Sequence, residues 1–243
     1  MVAIKAIFFD LFETLVENTP SDWHVSFEAI CKDQNLSIEP SVLLENWYEY
    51  EHGFRAWRLD RETMEMRQPF YTYREAWNWS FERVFEDLNL NANSSDAVNQ
   101  CLRDLGRRPI FPDTINVLAS LQGNYLVGLL SNADRDYMEP ILKRYDIFRY
   151  FDSVVCSEDA KAYKPHPDIF QLLLNSLGLD AENVIHVGDR QEEDVWGANR
   201  LGIRTVLIDR DRYIPNPLLP DPDIKIGSLS DLLVLPEIKT QLS

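Results

Sequence analysis

The chain has 243 residues, 45% of them hydrophobic, enough for one large domain or two modest ones with a sizeable buried core. Its formal charge of −16 argues against nucleic acid or an anionic membrane surface as a partner and suits a well-solvated exterior. Three widely spaced cysteines, Cys31, Cys101 and Cys156, suit free thiols in a reducing compartment rather than a disulfide framework or a metal site.

The first element is the apolar run that reaches Asp10 through Ala6-Ile7-Phe8-Phe9. The start from Val2 to Phe9 is too short for a membrane span, is interrupted by Lys5, and lacks a small-residue cleavage site. It therefore predicts a buried strand of a soluble, cytoplasmic protein.

Residues 16–108 change character. Trp23, Trp47, Trp57, Trp77 and Trp79 all fall here, and the periodicity is helical. Trp23, Phe27, Ile30 and Cys31 share a stripe behind a Ser21/Asp22 capping signal. Val42, Leu43, Trp47 and Tyr50 predict a second helix. Trp77, Phe81, Val84, Phe85 and Leu88 mark a third, over Tyr73–Leu90. A fourth covers Ser95–Leu105 and stops at Gly106. These segments predict a helical bundle, its core rich in tryptophan, inserted after the first strand. Pro109 and Pro112 mark the return to the main body.

From there strand and helix patterns alternate. Tyr125–Ser131, Ser153–Ser157, Val184–Val187 and Thr205–Ile208 read as strands. Tyr137–Arg144, Asp168–Leu177 and Glu192–Leu201 read as helices. Residues 215–222 are proline-rich and irregular, and a short helix closes the chain at Ser228–Leu233. This alternation predicts an α/β fold whose parallel sheet is covered on both faces. The body would comprise residues 1–15 and 109–243.

Four stretches carry chemistry, each just past a strand or just before a helix, where open parallel sheets bind ligands. Asp10 follows the first strand, with Thr14 four residues on. Ser131-Asn132 closes the second. Lys164 lies in Lys164-Pro165-His166-Pro167-Asp168-Ile169-Phe170, ahead of a helix. Gly188-Asp189 ends the Val184 run, with Asp194 five residues later. Two converging carboxylates repel unless something positive lies between them, and a hard divalent cation prefers carboxylate oxygen. The set suits attack on a phosphoryl group. Asp10 would be the nucleophile, Lys164 and a metal would offset charge, and Ser131 would hold substrate oxygens.

In this order the four stretches resemble the motifs of the haloacid dehalogenase (HAD) superfamily. The first is Asp10-Leu11-Phe12-Glu13-Thr14-Leu15, the second Ser131-Asn132. The third begins at Lys164, and the fourth is Gly188-Asp189 with Asp194. The resemblance covers nearly the whole chain. It implies a Rossmann-like core, a helical cap domain at 16–108, and an aspartyl-enzyme intermediate with Asp10, Ser131 and Lys164 as catalytic groups. It places Ser131, Asn132 and Lys164 on a small anionic substrate. Magnesium would be held by Asp10, the Phe12 carbonyl and Asp189, with Asp194 acting directly or through water. Such an enzyme would work as a monomer or a homodimer.

Two departures bear on the substrate. The family's phosphatases usually carry a second aspartate two residues after the nucleophile, to protonate the leaving oxygen; here Phe12 stands there. Glu13 replaces the usual glycine. The dehalogenases that name the family typically place an aromatic residue at the position of Phe12 and work without metal, but they lack the Gly-Asp pair kept here. The expectation is a magnesium-dependent phosphatase-type hydrolase of a small phosphorylated metabolite. The alternatives are a metal-independent 2-haloacid dehalogenase and a catalytically decayed binding protein. Phosphonate cleavage, ranked last, needs a Schiff-base lysine in the insertion, where Lys32 is the only lysine and reads as solvated. His166 and His186 read as structural. Arg58, Arg61, Tyr71, Tyr73 and Arg74 read first as a solvated face and aromatic core, and second as a grip on a substrate anion.

Overall fold

The computed structural model describes residues 3–210 and 213–238. Val2, at the start of the predicted first strand, and residues 239–243 of the predicted body lie outside them. The chain divides into two compact units. One joins Met1–Glu17, Pro109–Asn132 and Leu142–Ser243; the other joins Asn18–Arg108 and Ala133–Ile141.

The first unit is built on one parallel sheet. Its strands are β1 (Ala6–Phe9), β2 (Leu126–Ser131), β3 (Ser153–Cys156), β4 (Val184–Gly188), β5 (Arg204–Ile208) and β6 (Ile224–Ile226). They lie in the order β3-β2-β1-β4-β5-β6. Every residue of β1 and β4 is buried, as a central strand covered on both faces requires. The chain builds outward from β1 through β2 to β3, then returns to lay β4 on the other side of β1. That reversal makes the β1/β4 edge a switch point, the usual place for a ligand site in such a fold. The sheet is α/β and Rossmann-like, as the alternating pattern predicts. The short β6 goes beyond the sequence reading, because three residues carry no periodicity.

The second unit holds α1 (Pro20–Asp33), α2 (Pro40–Trp57), α3 (Tyr73–Asp87) and α4 (Ser94–Leu105). The sheet unit carries α5 (Thr114–Leu121), a helix with no counterpart in the sequence reading. Next comes α6 (Arg135–Arg144), followed by α7 (Ser157–Ala160), α8 (Pro167–Leu177), α9 (Gly197–Asn199) and α10 (Leu229–Leu232). Among the described residues no helix is long and apolar enough to cross a membrane.

Trp23, Trp47, Trp77, Phe27 and Phe81 form the aromatic centre of the helical unit, with Trp23 stacked on Trp47 at 5.2 Å and Trp47 on Phe81 at 5.6 Å. Trp57 and Trp79 do not join it; each is 45% exposed. The α1 cap is Thr19 rather than Ser21 or Asp22: its hydroxyl accepts from the Asp22 N–H, the Asp22 carboxylate answers, and Pro20 fills the first helical position. Thr72 and Glu75 form the same reciprocal pair on α3. Gly106 ends α4, but in right-handed backbone, so its glycine is not there for a left-handed cap. Close approach explains it instead, since a Cβ would sit 3.2 Å from that of Pro140. Residues 133–141, which the sequence reading places in the sheet body, belong to this unit. Asp134 accepts from the Tyr73 and Arg74 N–H groups at the start of α3, at 3.0 and 2.8 Å, and Tyr137 stacks on Trp77.

Candidate active site

The sheet register brings the predicted groups to one edge. Phe9 is level with Leu129 on one neighbour and Val187 on the other. Asp10, one residue past β1, therefore emerges between the end of β2, where Ser131 is buried, and the end of β4, where Asp189 follows Gly188. The Asp10 N–H still bonds to the Val187 carbonyl at 2.9 Å, which fixes the backbone under its carboxylate.

The chain then makes one tight turn. The N–H groups of Leu15 and Val16 both bond to the Leu11 carbonyl, at 2.8 and 2.9 Å. This turn forces Glu13 to φ 61°, a left-handed conformation that a glycine adopts without strain. Phe12 lies half-buried in the turn and bridges to Val16. Thr14 is buried, and its carbonyl accepts from Arg210 Nη2 at 2.8 Å.

Lys164 is held at both ends. The Asn132 side chain accepts from the Lys164 N–H at 2.7 Å and donates Nδ2 to the Lys164 carbonyl at 3.0 Å. That pairing engages both polar ends of the Asn132 amide with the backbone of Lys164. At the other end Nζ donates to Asp10 Oδ1 at 2.5 Å and to Asp194 Oδ1 at 2.6 Å, with the side chain 1% exposed.

Asp194 reaches this position through an irregular helix. A single helix over Glu192–Leu201 is the sequence expectation. Instead Gln191–Trp196 form a π-turn, in which the Val195 N–H bonds to the Arg190 carbonyl at 3.2 Å, before the short α9. Such wider turns re-aim side chains and recur at functional sites. Here the Arg190 N–H donates to Asp194 Oδ2 at 3.0 Å. Gly188 is needed for the same reason: a Cβ there would overlap the Asp194 carboxylate.

Asp10, Asp189 and Asp194 each offer an oxygen within 4.8 Å of the others. Lys164 Nζ meets Asp10 and Asp194, and Arg190 Nε lies 3.9 Å from Asp189 Oδ2, so two cations face three carboxylates and one negative charge is in excess. Burial pushes Asp10 up to about 7 against the pull of Lys164. Burial and the two neighbouring carboxylates hold Asp189 well above its usual range. Asp194 is depressed: burial opposes this, but Lys164 and the His186 hydrogen bond outweigh it. Burial also works against the Lys164 charge, yet Asp10 and Asp194 push its pKa up. An all-oxygen set with surplus negative charge fits a hard divalent cation, which would favour the ionised carboxylates.

Of the residues singled out in the sequence, Asp10, Lys164, Asp189 and Asp194 meet, Asn132 grips the Lys164 backbone, and Ser131 ends the adjacent strand. His166 accepts the Asp168 N–H at 3.2 Å and caps α8, which favours the structural reading. His186, also read as structural, has its Nε2 3.0 Å from Asp194 Oδ1, a contact the sequence reading does not foresee. Its place inside an apolar strand hid that contact, although the two-residue alternation puts it on the same face as Gly188, where a Cβ would meet Asp194. In the helical unit, Arg58 is buried and donates to the Tyr73 hydroxyl at 2.6 Å. Arg74 pairs with Asp136 at 2.6 Å and Asn99 at 2.7 Å. Those bonds favour the structural reading for all three. Arg61 and Tyr71 are exposed, as is Lys32 near the end of α1.

A family model described as haloacid dehalogenase-like hydrolase matches residues 4–202. The (S)-2-haloacid dehalogenase 4A of Burkholderia cepacia is 32% identical over 235 residues, covering 95% of this chain and 94% of that enzyme. A phosphoglycolate phosphatase of Salmonella paratyphi A is 32% identical over 126 residues, covering 51% of this chain and 50% of the enzyme. The magnesium-bound structure of YfnB from Bacillus subtilis superposes with a TM-score of 0.76 at 18% identity, covering 96% of this chain and 98% of that one, a likeness of fold alone.

Proposed function

The chain belongs to the haloacid dehalogenase-like hydrolases, and from that premise we propose that it is a magnesium-dependent phosphatase acting through Asp10 on a small phosphorylated metabolite. The observation that carries this reading is the cluster of three carboxylates with a single ammonium among them. Lys164 and Arg190 leave one of the three carboxylates uncompensated beside the nucleophile, a deficit that a divalent cation would cover.

In this reading an Asp10 oxygen attacks phosphorus. The ester P–O bond breaks, and its electron pair leaves on the alcohol oxygen. Water then attacks the phosphorus of the aspartyl phosphate, the bond from phosphorus to Asp10 breaks, and inorganic phosphate leaves; over the cycle one water proton ends on the alcohol oxygen and Asp10 is restored as a carboxylate. Lys164 keeps the nucleophile oriented and faces the growing charge. Ser131 would hold substrate oxygens, whereas the Asn132 amide, already on the Lys164 backbone, would act through Lys164. Magnesium would be held by the Asp10 and Asp189 carboxylates and the Phe12 carbonyl, with Asp194 adding Oδ2 or a water, and would neutralise charge on the phosphoryl group. The helical unit would serve as the cap that admits and selects substrate. The three free, buried thiols support a cytoplasmic setting.

A second reading is dehalogenation, in which Asp10 displaces halide from carbon. Phe12 favours it, since halide needs no proton, as does the 32% identity to a dehalogenase along 95% of the chain. The deciding assay offers p-nitrophenyl phosphate and 2-chloropropionate, each with magnesium and with a chelator. Phosphate release that the chelator stops supports the first reading. Chloride release in chelator replaces it with the second. Failure of both substrates would favour a binding protein, against which the intact Asp10–Lys164–Asp194 network argues.

A further inference from the structure

His186 is a fully buried titratable group for which the hydrolytic scheme has no use. The Asp194 carboxylate it touches can only accept hydrogen bonds while ionised, so the proton in that contact belongs to His186 Nε2. Among the described residues, the other ring nitrogen, Nδ1, is buried without a hydrogen-bond partner. A proton there would be an orphaned donor, costlier than a bare lone pair. The ring is therefore the neutral tautomer that carries its hydrogen on Nε2. The Phe170 ring meets it edge-on at 5.3 Å and fixes its plane.

Counting lone pairs shows what this does to Asp194. Oδ1 accepts from both Lys164 Nζ and His186 Nε2, which fills it; Oδ2 accepts from the Arg190 N–H. The carboxylate is thus held from three sides and has one open lone pair. Its strongest bond is to the ammonium that faces Asp10.

We propose that His186 is a positioning residue: its Nε2–H locks the Asp194 carboxylate, which in turn sets the Lys164 ammonium against the Asp10 nucleophile. Asn132 fixes Lys164 at its backbone, and His186 fixes it through Asp194 at its charged end. The inference rests on the reading of Asp10 as nucleophile.

The test compares His186→Leu, which keeps bulk but loses the donor, with His186→Gln, whose Nε2 donates from nearly the same place. Turnover of p-nitrophenyl phosphate and magnesium affinity by calorimetry are both measured. His186→Leu is expected to lose about 10–100-fold in kcat or in magnesium affinity, as second-layer ligand partners do, with KM little changed. His186→Gln should recover most of that loss, which a volume effect alone would not. If the leucine variant does not fold, His186→Asn replaces it, because its shorter amide falls short of Asp194. Wild-type kcat and affinity in the donor-less variant, or a glutamine variant as impaired as leucine, overturns the proposal. Calorimetry separates these outcomes even where no turnover is seen. An active Asp10→Asn enzyme would instead overturn the reading of the site.

Discussion

The two units bury polar groups for opposite ends. In the helical unit, Glu51, Arg58 and Asp134 are buried as parts of the scaffold: Glu51 pairs with Arg55, Arg58 holds the Tyr73 hydroxyl, and Asp134 caps α3. Glu51 meets an opposite charge, Asp134 two backbone N–H groups and Arg58 a hydroxyl, around an aromatic centre of Trp23, Trp47 and Trp77. In the sheet unit, Asp10, Asp194 and Lys164 are as deeply buried, but their charges do not balance once Asp189 joins them. Buried charge is costly in both places. Where it is partnered it can serve a scaffold, and where it is left unbalanced at a switch point it makes a candidate for chemistry.

Asp10→Asn tests the unbalanced side most severely. Turnover should fall by about 10⁴-fold or more, as when a nucleophile is removed. The melting temperature should move little, because a like-charge repulsion is lost along with the Lys164 bond. Steady-state kinetics beside a thermal melt checks both, and substantial residual activity would defeat the covalent mechanism.

Phe12 gives the next largest effect. With no general acid two residues after Asp10, p-nitrophenyl phosphate should react about 10²–10⁴-fold faster than a sugar phosphate, since only the alkyl leaving group needs a proton. Phe12→Asp should narrow that gap by raising the alkyl rate. Equal rates limited by chemistry would show that another group supplies the proton.

Trp47→Ala tests the balanced side. Removing this ring from the aromatic centre should cost about 3–5 kcal/mol in denaturant unfolding, with magnesium affinity unchanged. A loss of magnesium binding in a folded Trp47→Ala protein would mean that the two kinds of burial are not separate. Glu13→Gly has the smallest expected effect: relief of left-handed strain should stabilise the fold by about 1 kcal/mol in the same unfolding assay.

Much of the site is legible in the sequence because it rides on regular strands. An apolar run that ends in a carboxylate specifies both a buried strand and its exposed end, so Asp10 and Asp189 can be read directly. Lys164 and Asp194 can be placed on the correct edge by the strand–helix alternation. What escapes depends on geometry without period. The π-turn that aims Asp194 looks in sequence like an ordinary helix start. His186 looks like one more residue of a buried strand, and Asn132 like a ligand for substrate until its amide is seen on the Lys164 backbone. The Thr19 cap is hard to read because Pro20 separates it from Ser21 and Asp22, two residues with equal capping propensity.

The return of Ala133–Ile141 to the helical unit has a consequence for recombination between relatives. A graft that exchanged residues 18–108 alone would leave Asp134 and Tyr137 behind on the recipient. The transplanted α3 would then lack the carboxylate on its first N–H groups, and Trp77 its stacking partner. Two crossover points are not enough for a chimera of this chain; four are needed, with the nonapeptide that follows Ser131-Asn132 moved together with the helices it serves.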